Sequence, residues 1–178
     1  MTIVELGLPG VLLLTPDVHA DDRGTFHRVV DLAELAGRGL DPAVAQVSVA
    51  TNRRAGTVRG MHYQVAPHTE AKTLWVTQGS VLDVLVDLRP GEATYGTWIS
   101  VPLSADAPHA LHVPHGIAHG YQTLLDDTSL TYLISTPHDP ASGRTLHWQD
   151  PTIGIDWPLP VTAISDRDRE APTWPPSS

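Results

Sequence analysis

An all-β fold, built as a sandwich or a barrel, is what this sequence predicts, and three observations predict it. Apolar residues make up 41% of the 178 and fall in short runs rather than in long stretches of helical period. Glycine and proline, 14 and 16 residues respectively, punctuate those runs. From Gln46 onward the runs have strand length and follow one another at the short spacing typical of packed or rolled sheets.

The elements follow in chain order. Residues 1–45 are expected to hold the N-terminal strands and one short helix, Asp31-Leu-Ala-Glu-Leu-Ala-Gly37. That helix rests on good helix formers, apolar side chains at Leu32, Leu35 and Ala36, and a glycine to stop it. Strands are predicted near 46–51, 57–64, 73–78, 80–88, 97–103, 109–113, 119–125 and 129–136, each bounded by Gly, Pro or Asp. In the 80–88 strand, alternation puts Val81, Asp83, Leu85 and Asp87 on one face and Leu82, Val84, Val86 and Leu88 on the other. The second face reads as core, and the first, with acids set in an apolar row, as the wall of a pocket. The tail from Trp157, rich in proline and charge, is expected to run over the surface as extended chain with frayed ends at Pro-Thr-Trp-Pro-Pro-Ser-Ser.

Length and composition bound the function. A chain of 178 residues is expected to form one domain. No run approaches the roughly 18 to 20 apolar residues of a membrane span, and the N-terminus has no basic region leading an apolar one, so a cytoplasmic location is expected. Cysteine is absent, which excludes disulfides, zinc–thiolate sites and cysteine nucleophiles. A formal net charge of −9 argues against a general nucleic-acid binder. A small phosphorylated ligand stays compatible with it, provided a few Arg and Lys side chains converge.

Several residues carry candidate chemistry. Pro114-x-Gly116-x-x-His119, in Val-Pro-His-Gly-Ile-Ala-His-Gly-Tyr, has the spacing of a motif found in metal-binding cupin barrels. Those barrels pair it with G-x5-H-x-H. Here the count from Gly79 puts Leu85 and Asp87 where the two histidines belong, so the usual three-histidine set cannot assemble and no metal is expected. His62 can serve as a general base, Lys72 can stabilise negative charge developing on an oxygen, and Arg59 presents a fork suited to phosphate. Arg59 and His62 would face opposite ways in a flat strand, and Gly60 could host a bulge that re-aims one of them. Tyr132 lies in an apolar strand, where a tyrosine is ordinarily core with its hydroxyl tied to a neighbour. Asp168 is by default a solvated acid. His19, His27, His68, His109, His112, His115 and His147 read mostly as structural or solvent-exposed, and Trp75, Trp98, Trp148 and Trp157 as packing residues.

Taken together, Thr-Val-Arg-Gly-Met-His-Tyr-Gln at 57–64, the run from Ala71 to Arg89, Thr94–Ala105, Val113–Tyr121, Leu130–Ser135 and Trp148–Pro158 resemble the dTDP-4-dehydrorhamnose 3,5-epimerase family of nucleotide-sugar enzymes. The likeness extends from the Asp22-Arg-Gly-Thr-Phe26 segment to Asp168, with the motifs in family order. It implies a cofactor-free cupin-type jelly roll over 46–136, closed by residues 137–178. It also implies a homodimer with an exchanged N-terminal strand, and a dTDP-linked 4-keto-6-deoxyhexose as substrate. The hydrogens at C3 and C5 are both α to the C4 ketone, so a base can remove either and reprotonation from the opposite face inverts the centre.

Carried over by motif, His62 resembles the family base, Asp168 its dyad partner, Tyr132 the acid on the opposite face and Lys72 the group beside the enolate oxygen. Arg23, Phe26, Arg28, Gln46, Ser48, Arg59, Asp83, His119, His138, Gly143 and Arg167 match substrate-side positions. Five of these depart from the usual family residue: Arg28 for Glu, Ser48 for Asn, His138 for Tyr, Gly143 for Glu and Arg167 for Lys. All five lie on the nucleotide side, which leaves open an epimerase acting at C3 or C5 alone. The other readings are a sugar-nucleotide 3,4-ketoisomerase, a non-catalytic nucleotide-sugar-binding barrel, and a metal-dependent cupin, the last disfavoured by Leu85.

Overall fold

A computed structural model describes residues 1–174. In chain order the elements are β1 (Thr2–Glu5), β2 (Leu12–Thr15), β3 (Val18–Asp21), β4 (Gly24–His27), α1 (Leu32–Gly37), β5 (Gln46–Asn52), β6 (Val58–Gln64), β7 (Lys72–Gln78), β8 (Ser80–Asp87), β9 (Trp98–Ser104), β10 (Ala110–Val113), β11 (Ile117–Thr123), β12 (Thr128–Ile134), β13 (Gly143–Thr145) and α2 (Asp166–Arg169). Every strand predicted from residue 46 onward is present within two residues of its expected ends. Helix α1 begins where its cap allows: the Asp31 carboxylate accepts from the backbone N–H groups of Ala33 and Glu34.

Two antiparallel sheets face each other. One has the order β1-β2-β10-β7-β12-β5, the other β13-β6-β11-β8-β9, and β3 and β4 form a separate hairpin. The core between the sheets takes Leu74, Val76, Leu111, Val113 and Leu130 from the first and Val81, Leu85, Val101, Leu103, Ile117 and Tyr121 from the second. A second cluster covers the back of the five-stranded sheet, where Met61, Val84, Val86 and Ala118 meet Leu146 and Ile153. A third sits under α1, with Leu35 packed on Leu12, Leu14 and Ala110.

Two expectations change. Both faces of β8 are core: Val81 and Leu85 fill the space between the sheets, while Val84 and Val86 lie beneath the C-terminal segment. The acids on the inward face keep the expected alternation, with Asp83 deep in the wall and Asp87 at the strand end, bonded to Arg89 and Thr94. The tail is not uniformly extended surface chain. Ala163 bridges Thr57, Ser165 caps the short helix α2, and Asp168 and Ala171 are buried. A cap and a long-range contact impose this, and neither has a local periodic signature. The fraying expected at 175–178 lies outside the described residues.

Candidate active site

The site begins with a flaw in the ladder between β6 and β11. Tyr121 pairs with Arg59 and His119 with His62, so two residues of β6, Gly60 and Met61, oppose Gly120 alone. This is the bulge expected at Gly60, and it turns Arg59 and His62 to one side, where both line a cavity of about 240 Å³. Glycine is required on both strands there. A Cβ on Gly60, whose φ is +120°, would lie 2.6 Å from the Gly120 Cα; one on Gly120 would lie 2.7 Å from the Arg59 carbonyl oxygen.

Ser48, Val49, Ala50, Lys72, His119, Tyr121, Tyr132 and Ile134 complete that cavity. His62 enters from the five-stranded sheet, whereas Lys72 and Tyr132 enter from the six-stranded one, neighbours through the Ile134–Lys72 end of the β12–β7 ladder. A ligand held between the sheets therefore has an imidazole on one side and a phenol on the other.

Behind His62, Nε2 lies 2.7 Å from Asp168 Oδ1. The second carboxylate oxygen accepts from the Gly60 N–H at 3.2 Å, and the Ser165 hydroxyl accepts from the Asp168 N–H at 3.1 Å. Burial pushes this carboxyl up, but the hydrogen bond and charge of His62, the Gly60 N–H and Ser165 together hold it below the ordinary 3.8. An ionised, nearly buried carboxylate thus fixes the ring of a histidine whose side chain stays 38% exposed toward the cavity.

Lys72 Nζ pairs with Glu70 Oε1 at 2.8 Å and approaches the His62 carbonyl oxygen at 3.4 Å. His119 Nε2 lies 3.0 Å from Asp83 Oδ2, both groups buried, and the other Asp83 oxygen has no partner. Burial pushes the Asp83 carboxyl up, against the pull of His119 and Lys72. Of the two positions where a metal-binding barrel would place further histidines, Leu85 is in the core and Asp87 is committed to Arg89. The donor set at His119 does not fit a metal ion.

A contiguous second cavity, about 400 Å³, is lined by Gln46, Ser48, His62, Glu70, Lys72, His138, Gly143, Arg144 and Arg167. Gln46 Oε1 accepts from the His138 N–H, and a Cβ on Gly143 would meet the His138 ring at 3.4 Å, so the two departures occupy one wall. Its arginines suit a diphosphate.

Arg23, Phe26 and Arg28 are not brought to either of these cavities. They sit on and just after the β3–β4 hairpin, where Arg23 pairs with Asp21, Arg28 with Asp31, and Phe26 is 71% exposed. Three residues that the motifs did not single out belong to the site. Glu70 pairs with Lys72, and Tyr121 and Asn52 form a buried pair behind Arg59 and Tyr132. Glu70 has a weak local signal, two residues before a candidate lysine on a strand edge. Asn52 and Tyr121 have none, since they meet across 69 residues of chain.

The model of the dTDP-4-dehydrorhamnose 3,5-epimerase family matches residues 5–175. A dTDP-4-dehydrorhamnose 3,5-epimerase of Mycobacterium tuberculosis is 37% identical over 96% of this chain and 86% of that protein. A dTDP-4-dehydrorhamnose 3-epimerase of Streptomyces niveus is 39% identical over 96% and 83%. The crystal structure of a dTDP-4-dehydrorhamnose 3,5-epimerase from Elizabethkingia anophelis superposes with a TM-score of 0.93 at 29% identity, covering 98% of this chain and 96% of that one. With His62 and Tyr132 on facing sheets of such a jelly roll and the family matched along nearly its whole length, this chain belongs to the dTDP-4-dehydrorhamnose 3,5-epimerase family.

Proposed function

We propose that this protein is an isomerase that inverts C3, C5 or both in a dTDP-linked 4-keto-6-deoxyhexose. The observation that carries the reading is the facing pair: the Asp168-backed His62 on one sheet and Tyr132 on the other, with Lys72 in the same cavity. His62 removes the proton α to the ketone, and Asp168 orients the ring and stabilises its charged form. The enolate oxygen forms beside Lys72, a cation already in place, so little reorganisation accompanies the charge. Tyr132 returns a proton on the opposite face. Arg59 and His119 contact the sugar or its phosphates. The second cavity takes the nucleotide, with Arg167 toward the diphosphate and Gln46, Ser48, His138 and Gly143 toward the base. His138, in place of the usual tyrosine, makes the number of centres inverted a property of this chain. Named relatives of both kinds, one-centre and two-centre, favour epimerisation over ketoisomerisation. Incubation with dTDP-4-keto-6-deoxyglucose and NMR of the products tests this: inversion at C3 or C5 is expected, and unchanged substrate overturns the reading.

We also infer that the chain works as one epimerase domain closed by residues 137–178, as a homodimer whose N-terminal segment reaches the partner, in the cytoplasm. Two exposures support the dimer. Phe26 and Arg23 stand exposed on the β3–β4 hairpin and line neither of the two cavities of the site, and edge strand β5 leaves Val47 and Val49 65% and 66% exposed. Sedimentation should give twice the 19.2 kDa chain mass, and a stable single-chain mass with full activity contradicts it.

A further inference from the structure

Glu70 stands two residues before Lys72, and side chains two apart share a face of extended chain. Its Oε1 lies 2.8 Å from Lys72 Nζ, and each side chain is only 11% exposed, so the ion pair is largely withdrawn from solvent. The backbone that carries Glu70 is tied down on both sides. The Thr69 carbonyl accepts from the Thr136 hydroxyl at 2.8 Å, the Ala71 N–H donates to the Ser135 hydroxyl at 2.8 Å, and the Ser135 N–H donates to the Ala71 carbonyl at 3.0 Å. These bonds fasten the chain ahead of β7 to the chain after β12, and the carboxylate with it.

Lys72 lines both cavities of the site, whereas Glu70 lines only the second. The ammonium thus stands at the seam between them, with its counter-ion on the second-cavity side. Its charge reaches the first cavity, where it opposes the upward push that burial gives the Asp83 carboxyl. A carboxylate alone in this position would repel both an enolate and a diphosphate, so its use to the reaction lies in the cation it holds. A lysine ends a flexible four-carbon stem, and without an anchor that stem has to be ordered in every turnover. The ammonium carries three N–H donors. The Glu70 carboxylate and the His62 carbonyl oxygen, 3.4 Å away, engage two of them at most, which leaves one for a ligand oxygen.

We propose that Glu70 is the positioning residue for Lys72: it holds the ammonium at the seam of the two cavities, so that the enolate oxygen forms against a cation already in place. The inference rests on the role given to Lys72 above. As His62 takes the α proton, the electron pair of the broken C–H bond forms the enolate double bond and the carbonyl pair moves onto the C4 oxygen. The charge then lies beside an ammonium that has no reorganisation left to make.

Variants of the full chain, assayed with dTDP-4-keto-6-deoxyglucose, test this. Glu70→Gln keeps an acceptor oxygen at the same reach and removes the charge, whereas Glu70→Asp keeps the charge and draws it back by a methylene. Glu70→Gln should lower kcat by less than about fivefold, and Glu70→Asp and Glu70→Ala by about 10- to 100-fold, the scale of one contact to a charged group, with KM changed little throughout. In a Lys72→Met background, Glu70→Ala should cost almost nothing more, because a residue that acts through the lysine has nothing left to act on. Wild-type kcat in Glu70→Asp and Glu70→Ala overturns the inference. So does the reverse order, with Glu70→Gln the slow variant, which would mark a role for the charge itself. A loss that adds in full to that of Lys72→Met, or one that falls on KM alone, overturns it too. Should Glu70→Ala fail to fold, the order of Glu70→Gln and Glu70→Asp decides. Lys72→Met separates the two levels. If it is slow while the Glu70 variants are not, only this inference falls; if it turns over at the wild-type rate, the Lys72 assignment falls and the inference with it.

Discussion

Replacing His62 by Asn should lower kcat for epimerisation by about 10²- to 10⁴-fold, the usual contribution of a positioned acid–base group, with KM changed little. Asparagine retains a polar group toward Asp168 but cannot accept a proton, so the chemistry is lost while the cavity keeps its shape. Asp168→Asn should move kcat in the same direction by less, because the base remains and only its orientation and charge partner are weakened. The two variants also differ in stability with pH. The folded-state carboxyl of Asp168 ionises below its ordinary 3.8, so its contribution to stability is present above that value and is lost as pH falls through the folded one. Denaturant melts of wild type and Asp168→Asn should therefore differ at neutral pH and draw together below about pH 3.8. An equal gap at every pH would remove the ionised dyad from the account. Wild-type turnover in His62→Asn would remove the base.

Gly60→Ala should be strongly damaging for a single added methyl. The new Cβ would meet the His119–Gly120 peptide of β11, 2.6 Å from the Gly120 Cα and 2.7 Å from the His119 carbonyl oxygen, at a φ of +120° that L side chains rarely adopt. Backbone cannot step aside as a flexible side chain can, so overpacking and conformational strain add, for roughly 3 kcal/mol or more. Any relief by straightening the bulge turns Arg59 and His62 to opposite faces, and activity should fall further than the folded fraction does. Gly37→Ala is the matching control, since nothing lies within 4 Å of its Cβ and it ends α1. It should change stability by no more than about 1 kcal/mol. Denaturant midpoints and kcat on the same preparations measure both, and a Gly60→Ala protein with native midpoint and turnover would refute the bulge as the device that builds the site.

How far the molecule could be read in advance depended on how local each cause is. The strands from 46 to 136 and helix α1 announce themselves through period, turn residues and the Asp31 cap, all within a few positions. The bulge was legible because an odd separation between two residues of interest, with glycine between them, is a local contradiction. Asp168 was not legible from its own neighbourhood. Its burial comes from the Ser165 cap and from His62, 106 residues away, and the motif resemblance alone linked it to a dyad. Arg23, Phe26 and Arg28 show the reverse, since motif order assigns them to the substrate while the single chain leaves them on a remote hairpin. Asn52 and Tyr121 escaped because a buried hydroxyl in a core strand looks like any packing tyrosine until its partner, 69 residues distant, is seen.

The central claim is that one proton leaves the sugar to His62 and another arrives from Tyr132. Solvent exchange in heavy water tests it most directly, with each ring position of dTDP-4-keto-6-deoxyglucose followed by NMR in wild type, His62→Asn and Tyr132→Phe. Wild type should place solvent deuterium at each inverted carbon, His62→Asn should place almost none, and Tyr132→Phe should exchange without inverting. Inverted product formed in heavy water with its original hydrogen retained at C3 and C5 would contradict it.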